Sequence, residues 1–294
     1  MNDNNPLIHC RDFRIRHYEC DAFGHLNNAN YVRYMQETAF DASAAAGFDH
    51  AKYDQLGHHW LIRETDIEYL KPVGYGDSIT VKTWVIDFHR VRSRRAYEFY
   101  LQGSNELITK AETDWVYLDS TSGKPATIPD EMINGFFPDG PPANIPARHR
   151  FKAPPNPPEG KFETQLRVTW NDLDPVQHVN NAVYLNYIEE CGMQVLSAHG
   201  WPVTRMIAEG FAIFIRRHQI QYRQPALLGD ELIISTWVSN VRRSTATRHY
   251  VIRRKFDKSE LATIHSLGVW VDLDQRRPIR IPSQFLADFS SNIV

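Results

Sequence analysis

The sequence predicts an α+β fold built twice in tandem, each copy one long helix against an antiparallel sheet of about five strands. Three observations predict it. First, DAFGHLNNANYVRYMQE from Asp21 matches DPVQHVNNAVYLNYIEE from Asp174 at eight of 17 positions, 153 residues apart. Second, one helix-period segment per copy is followed by several alternating segments. Third, a proline-rich stretch separates the copies.

The repeat extends well past this motif. At the same offset Arg63 meets Arg216, Tyr69 meets Tyr222, Pro72 meets Pro225, Gly76-Asp77 meets Gly229-Asp230 and Trp84 meets Trp237. After a small length change Trp115-Val116 and Leu118-Asp119 match Trp270-Val271 and Leu273-Asp274. Self-similarity over most of the chain marks a duplicated domain, and 294 residues are enough for two. The predicted boundaries are residues 1–137 for the first domain, 138–160 for a linker and 161–294 for the second. Eight of the 23 linker residues are proline, which removes backbone donors and favours an extended, semi-rigid spacer.

In each copy the elements follow one order. Phe13, Ile15 and His17, like Leu166, Val168 and Trp170, alternate with polar residues, so each copy opens on a strand. Apolar residues recur at three and four from Asn28 to Ala46 and from Asn181 to His199. Asparagine suits a helix N-cap, and Gly47 and Gly200 sit where a C-cap is expected. A loop then leads to strands over 61–70 and 211–222, and Pro72–Asp77 and Pro225–Asp230 carry turn chemistry. Further strands are predicted over 78–88 and 231–238, 97–101 and 248–252, and 108–118 and 264–273. Two such copies pack most economically as an intramolecular pseudo-dimer, their sheets joining edge to edge to cover exposed strand edges.

Apolar residues make up 42% and charged residues 23%, and the net charge is −2. That balance argues against a nucleic-acid partner, which calls for a basic excess. No apolar run approaches the roughly 20 residues of a membrane span, and MNDNNPLIHC lacks the basic start and apolar stretch of a signal peptide. A soluble, cytoplasmic protein is expected. Cys10, Cys20 and Cys191 cannot all pair and form no CxxC, which leaves neither a disulfide framework nor a cysteine zinc site. Cys20 beside Asp21 is no nucleophile, because the second copy has Leu173 there.

Each copy resembles the hotdog-fold thioesterases of the 4-hydroxybenzoyl-CoA thioesterase-like branch. That branch opens with an aspartate, a short loop, then an asparagine and aromatic residues starting the central helix, as in DAFGHLNNANYVRY (21–34). DPVQHVNNAVYLNY (174–187) fits apart from Gln177, which stands where the first copy has Gly24. The tandem arrangement, and DLDPVQHVNN in particular, is similar to fatty acyl-ACP thioesterases. The resemblance implies an acyl thioesterase acting on acyl-CoA or acyl-ACP without metal or other cofactor. Pseudo-dimers of this kind can associate further into homo-oligomers.

Thioester hydrolysis needs a group that activates water or attacks the carbonyl, and donors for the oxyanion. An aspartate just before a helix lies beside unpaired backbone amides and the positive end of the helix dipole. There it can act as general base or nucleophile, with the first-turn amides as oxyanion donors. The resemblance assigns the aspartate role to Asp21 and Asp174 and the amide role to Asn28 and Asn181. His25 and His178 either orient the aspartate, contact the carbonyl or hold the loop; Phe23 and Val176 stand where acyl-ACP thioesterases place an asparagine. Asn27 and Asn180 fix the loop. Glu68 matches a strand acid of acyl-ACP thioesterases, and the second copy has Gln221 there. Sites of this fold lie between domains, so the resemblance lets Glu68 serve the site opposite its own, beside Asp174. Glu37 and Glu190, within the helices, read as hydrogen-bonding or ion-pairing residues at the domain interface.

HRVRSRR (89–95) and VRRS (241–244) occupy matching strand-loop positions. Arg90, Arg92, Ser93, Arg242, Arg243 and Ser244 suit the phosphates of CoA or phosphopantetheine, a solvated basic turn being the alternative. Trp60, Phe211 and Phe214 are candidates to line an acyl tunnel or simply core. Two other functions fit the residues less well: a hotdog hydratase or dehydratase, and a non-catalytic module that binds acyl thioesters. Gly24, which lets a thioester approach the backbone closely, and Gln221 join Asn28 and Asn181 as candidate substrate-binding residues. Three differences between the copies, Gly24 against Gln177, Phe23 against Val176 and Glu68 against Gln221, predict two unequal sites.

Overall fold

The structure, a computed structural model of the chain, describes residues 6–142 and 144–294. It divides into two compact units between Arg150 and Phe151, inside the proline-rich stretch. The first unit runs β1 (His9–Arg14), α1 (Asn28–Ala45), α2 (His50–Leu56), β2 (His58–Tyr69), β3 (Ser78–His89), β4 (Arg92–Leu101), β5 (Glu106–Asp119) and α3 (Asp130–Phe136). The second repeats it: β6 (Phe162–Arg167), α4 (Val183–Ala198), α5 (Val203–Ala208), β7 (Phe211–Tyr222), β8 (Glu231–Ser239), β9 (Thr245–Arg254), β10 (Glu260–Asp272) and α6 (Ser283–Asp288). Strand order is β1-β3-β4-β5-β2 in one and β6-β8-β9-β10-β7 in the other, neighbours antiparallel throughout.

In each unit the long helix lies in the hollow of its sheet. Tyr31, Val32, Met35, Ala39 and Ala42 of α1 are buried, a stripe at helical spacing. Tyr34 stacks on Phe13 of β1 at 4.2 Å, while Tyr31 meets Phe99 of β4 at 5.5 Å and Tyr69 of β2 at 5.1 Å. One helix touching strands from both ends of the order requires a curled sheet. In the second unit Tyr184 meets Tyr222 edge-on at 5.4 Å, repeating the Tyr31–Tyr69 contact.

Three elements differ from the sequence expectation. The opening strands end at Arg14 and Arg167, and His17 and Trp170 fall instead in single 3-10 turns, His17–Glu19 and Trp170–Asp172. Glu19 accepts the Arg16 N–H at 2.8 Å and Asp172 the Thr169 N–H at 2.7 Å, which closes each turn. Second, β4 starts at Arg92 rather than at residue 97. The turn before it is confined to Arg90 and Val91, with Arg90 at φ 52°. Third, α2, α3, α5 and α6 fill stretches read as loops. Helices of six or seven residues cannot sustain themselves; Met132, Phe136, Met206 and Phe285 hold α3, α5 and α6 by burial, and the Tyr53 hydroxyl ties α2 to Ser43 and Trp60.

The middle of the proline-rich stretch is fastened to each unit in turn. Arg94 pairs with Asp87 at 2.6 Å and donates to the Pro146 carbonyl at 2.8 Å, and Arg148 pairs with Asp114. In the second unit Phe151 stacks on His265 at 4.5 Å and the His265 Nε2 donates to the Lys152 carbonyl at 2.7 Å. That bond fixes a chain of tautomers. His265 Nδ1 is then an acceptor, so His249 Nδ1 donates to it at 2.8 Å and His249 Nε2 accepts from the Ser239 hydroxyl at 2.7 Å.

Such a relay requires neutral imidazoles. Burial, then the charges of His265 and Arg248, pushes His249 down to about 4; burial alone pushes His218 down to about 3 and is the main cause lowering His265. Unfolding returns them to about 6.5. Below that pH the unfolded chain binds protons that the folded chain refuses, so stability is full above it and falls towards pH 4. Urea midpoints are therefore expected to drop between pH 6.5 and 5, above the range in which ordinary carboxylates titrate. A flat profile across that window would contradict the neutral relay.

Candidate active site

The duplicated motif folds into a closed loop ahead of each long helix. An isolated bridge pairs Cys20 with Leu26, and another pairs Leu173 with Val179. Within the first loop the Asp21 N–H donates to the His25 carbonyl at 2.7 Å, and Asp21 Oδ1 accepts from the amides of Phe23 at 2.9 Å and His25 at 3.0 Å. Asp21 Oδ2 makes no hydrogen bond among the described residues. In the second loop the Asp174 N–H donates to the His178 carbonyl at 3.0 Å and Asp174 Oδ1 accepts from Val176 at 3.1 Å. Burial raises Asp174 above the usual carboxylate range, opposed by the Val176 and His178 amides.

Asn27 is the N-cap of α1: its side chain accepts from Ala29 at 3.0 Å, and its carbonyl accepts from Asn30 at 2.9 Å. The first-turn amide left over is that of Asn28, which has no acceptor among the described residues. Asn180 does the same for Ala182 and Val183, at 2.9 Å each, and leaves the Asn181 amide over. Sequence places a cap at this point; the structure makes it Asn27 in the first copy, whereas in the second Asn180 makes the same bonds one turn earlier and α4 begins at Val183 rather than at Asn181, with Ala182 preceding it. The carbonyls of Asn28 and Asn181 accept from the hydroxyls of Tyr69 at 3.3 Å and Tyr222 at 3.1 Å. Each helix start is thereby tied to the end of a strand.

Sequence reasoning missed one duplicated pair that anchors this loop. Glu19, 6% exposed, accepts from the Tyr34 hydroxyl at 2.7 Å, while its carbonyl accepts the Asn27 N–H at 2.9 Å. The second copy has Asp172, one methylene shorter, and the Tyr187 hydroxyl is buried with no hydrogen-bond partner among the described residues. An acid and a tyrosine repeated at the offset were the signal available.

Glu68 pairs with Lys110 at 3.0 Å. It alternates with Ile67 and Tyr69, both turned to the buried face, so it projects from the face of its sheet opposite its own helix. Gln221 alternates in the same way between Ile220 and Tyr222. Glu37 pairs with Arg11 at 3.2 Å and Glu190 accepts from Gln194 at 2.9 Å, partners from the same unit in both cases. Of the basic residues, Arg90, Arg242 and Arg243 are exposed, Ser244 is half-buried, Arg92 is engaged by Asp114 and Ser93 is buried. Trp60 donates to the Tyr53 hydroxyl at 3.2 Å beside Tyr117, and Phe211 packs on Trp201.

One family model, described as thioesterase-like superfamily, matches the chain twice, over residues 15–136 and 168–289. The chain belongs to that superfamily. Its two units are tandem hotdog domains, and solved thioesterase-like structures share the architecture. An acyl-ACP thioesterase of Bacteroides thetaiotaomicron aligns with 89% of this chain and 97% of its own at a TM-score of 0.68 and 20% identity. A 12:0-ACP thioesterase of Umbellularia californica aligns with 89% and 93% at 0.71 and 20%. Among sequences, a chloroplastic acyl-[acyl-carrier-protein] hydrolase of Cuphea viscosissima is 26% identical over 193 residues, 63% of this chain. The match spans 47% of that relative, so this thioesterase-like chain covers about half the length of such relatives. No helix among the described residues is long and apolar enough to cross a membrane.

The two loops differ at one backbone position. Gly24 has φ +79° and Gln177 has φ +63°, left-handed geometry that glycine adopts without strain and glutamine does not. A second glycine, Gly74, lets the first loop close further: His25 bridges to Gly74, where a Cβ would stand 2.7 Å from the Gly24 carbonyl. The second copy has Leu227 at that place. Gly24→Ala is expected to lower stability by about 1 kcal/mol, and Gln177→Gly to leave it unchanged or raise it by up to about 1 kcal/mol. Urea denaturation decides this; a loss with Gln177→Gly would show that its side chain outweighs the strain.

Proposed function

We propose that the chain hydrolyses acyl thioesters carried on CoA or acyl carrier protein to the free acid and thiol. The observation that carries the reading is the duplicated coincidence of a carboxylate that closes its own loop and a leftover amide at the start of the adjoining helix. The relatives named above, acyl-ACP thioesterases among them, support the substrate class.

Asp21 Oδ2 takes a proton from water while the hydroxide adds to the thioester carbon. The developing oxyanion is received by the Asn28 amide, helped by the positive end of α1. Collapse expels the thiolate, which recovers the proton from Asp21. Asp174 and Asn181 supply the same groups in the second copy. Direct attack by the carboxylate, giving an anhydride that water then opens, uses the same atoms. His25 and His178 lend their backbones to the aspartate, and their side chains remain candidates for positioning the carbonyl. Glu68 is proposed as an accessory acid rather than the base, since Lys110 already pairs with it. Arg90, Arg242, Arg243 and Ser244 are the proposed contacts for carrier phosphates, with Arg92 and Ser93 behind them.

Thiol release from acyl-CoA and acyl-ACP panels tests the reading. Asp21→Asn and Asp174→Asn are expected to lower kcat unequally, at least one by about 10²-fold or more. Asp21 is expected to lose more, because its loop keeps the unstrained glycine. A double variant that turns over at the parental rate would refute the aspartate mechanism.

Arg242→Ala and Arg243→Ala are expected to raise KM with little change in kcat, the mark of lost uniform binding, and less so in high salt. KM unchanged for both carriers would return them to a solvated turn.

A further inference from the structure

Arg95 of β4 is 7% exposed, deep enough that an arginine normally brings a counter-ion. No carboxylate pairs with it among the described residues. Its one hydrogen bond is a long one, from Nη1 to the Thr83 hydroxyl at 3.4 Å, and its guanidinium lies 5.3 Å from the centre of the Phe136 ring. Burial lowers its pKa, yet an arginine keeps its proton, so the charge stays.

The same arginine lines a cavity of about 140 Å³ whose other walls are Leu7, Ile8, His9, Ala42, Ala45 and Phe136. Leu7 and Ile8 are exposed at 43% and 54% and rim it. A space of that size admits a molecule about as large as benzene.

The duplicate provides an internal comparison. Arg248 occupies the same place in the second unit, over the Phe289 ring at 5.5 Å and 3.5 Å from the Thr236 hydroxyl. There Asn292, fully buried in the 3-10 turn Ser290–Asn292, offers its side-chain oxygen to the guanidinium at 3.2 Å. The structure keeps the 153-residue offset here, without the length change read from the sequence: Tyr117 pairs with Trp60 as Trp270 does with Ile213, and Leu118 bridges Pro125 as Val271 bridges Pro278. The first copy therefore has Asp139 in place of Asn292, and Asp139 is exposed. Pro138 replaces Ser291, and proline forces the residue before it out of helical geometry. The turn that would bring the acceptor back is therefore lost.

We propose that this cavity binds the carboxylate end of a short apolar acid, whose oxygens take the guanidinium while the tail lies along Ala42, Ala45 and the Leu7–Ile8 rim. A carboxylate fits better than a phosphate dianion, which would leave a second buried charge uncompensated. Ala42 and Ala45 lie near the C-terminal end of α1, and the Asp21 loop precedes its N-terminus. At 1.5 Å per residue the two lie roughly 25 Å apart along the helix. The site is thus separate from the proposed chemistry and does not depend on it.

Calorimetric titration of the full chain with hexanoate, 1-hexanol and hexylamine tests this, with Asp21→Asn/Asp174→Asn protein as a second sample. Hexanoate is expected to bind with sub-millimolar affinity in both samples, and the neutral alcohol and the amine at least tenfold more weakly. Ala45→Leu, an exposed helix position that folds readily, should weaken hexanoate at least tenfold by filling the cavity; Arg95→Gln should do the same if it folds. Equal binding of hexanoate and hexanol would overturn the proposal, as would undiminished binding by Ala45→Leu. So would an Asp3→Asn variant that binds hexanoate tenfold more tightly, which would make the chain's own N-terminal acid the counter-ion.

Discussion

The hydrogen bonds that the Phe23 and His25 amides donate to Asp21 are what the rest of the first unit's functional geometry depends on. They use one carboxylate oxygen to hold a five-residue turn shut, which brings the chain back to Leu26 and starts α1 at a fixed point. Asn27 then takes up the Ala29 and Asn30 amides and leaves the Asn28 amide over. A carboxylate oxygen without a loop partner and an amide without a helix partner are consequences of the same closure. Catalysis of acyl transfer asks for that pairing of a base with a fixed dipole. The cost is a polar knot that must itself be anchored, which the buried Glu19–Tyr34 bond and the Tyr69–Asn28 bond provide.

Duplication shows how much of this knot is adjustable. The second copy keeps the aspartate, the cap and the strand tyrosine. It relaxes the rest: Asp172 stays near Tyr187 without a hydrogen bond of normal geometry, Gln177 carries a left-handed backbone, and Leu227 replaces the glycine that admits a close approach. Each change weakens a support rather than a reacting group. The copies thus retain the same proposed reacting groups in two mechanical settings, the physical basis for expecting unequal sites.

Buried charge follows the same logic. Arg94 and Asp114, both buried, are satisfied by Asp87 on one side and by Arg92 and Arg148 on the other, and those pairs also fasten the proline-rich stretch to the first unit. On the second unit His265 does the fastening instead, backed by His249. Arg95 stands apart, because the turn that brings a hydrogen-bond acceptor to its counterpart Arg248 is interrupted by Pro138.

Two tandem domains, the two long helices, the turns at Pro72 and Pro225 and most strand positions were legible in the sequence, since each rests on local periodicity, capping chemistry or repetition. The candidate aspartates and the helix-start asparagines were legible too, through the repeat and the family resemblance. The short helices were not, because six residues carry no periodicity and are helical where Met132 or Phe285 is buried. Nor was the start of β4: a run such as RSRR reads as a polar turn, and only pairing against β3 and β5 shows that Arg94 and Arg95 are both buried, on opposite faces of the strand. Sequence by itself determined which residues recur and which local conformations they prefer. Tertiary structure alone decided which polar groups find partners and which are left over, because partnership depends on distances between segments that are remote in the chain.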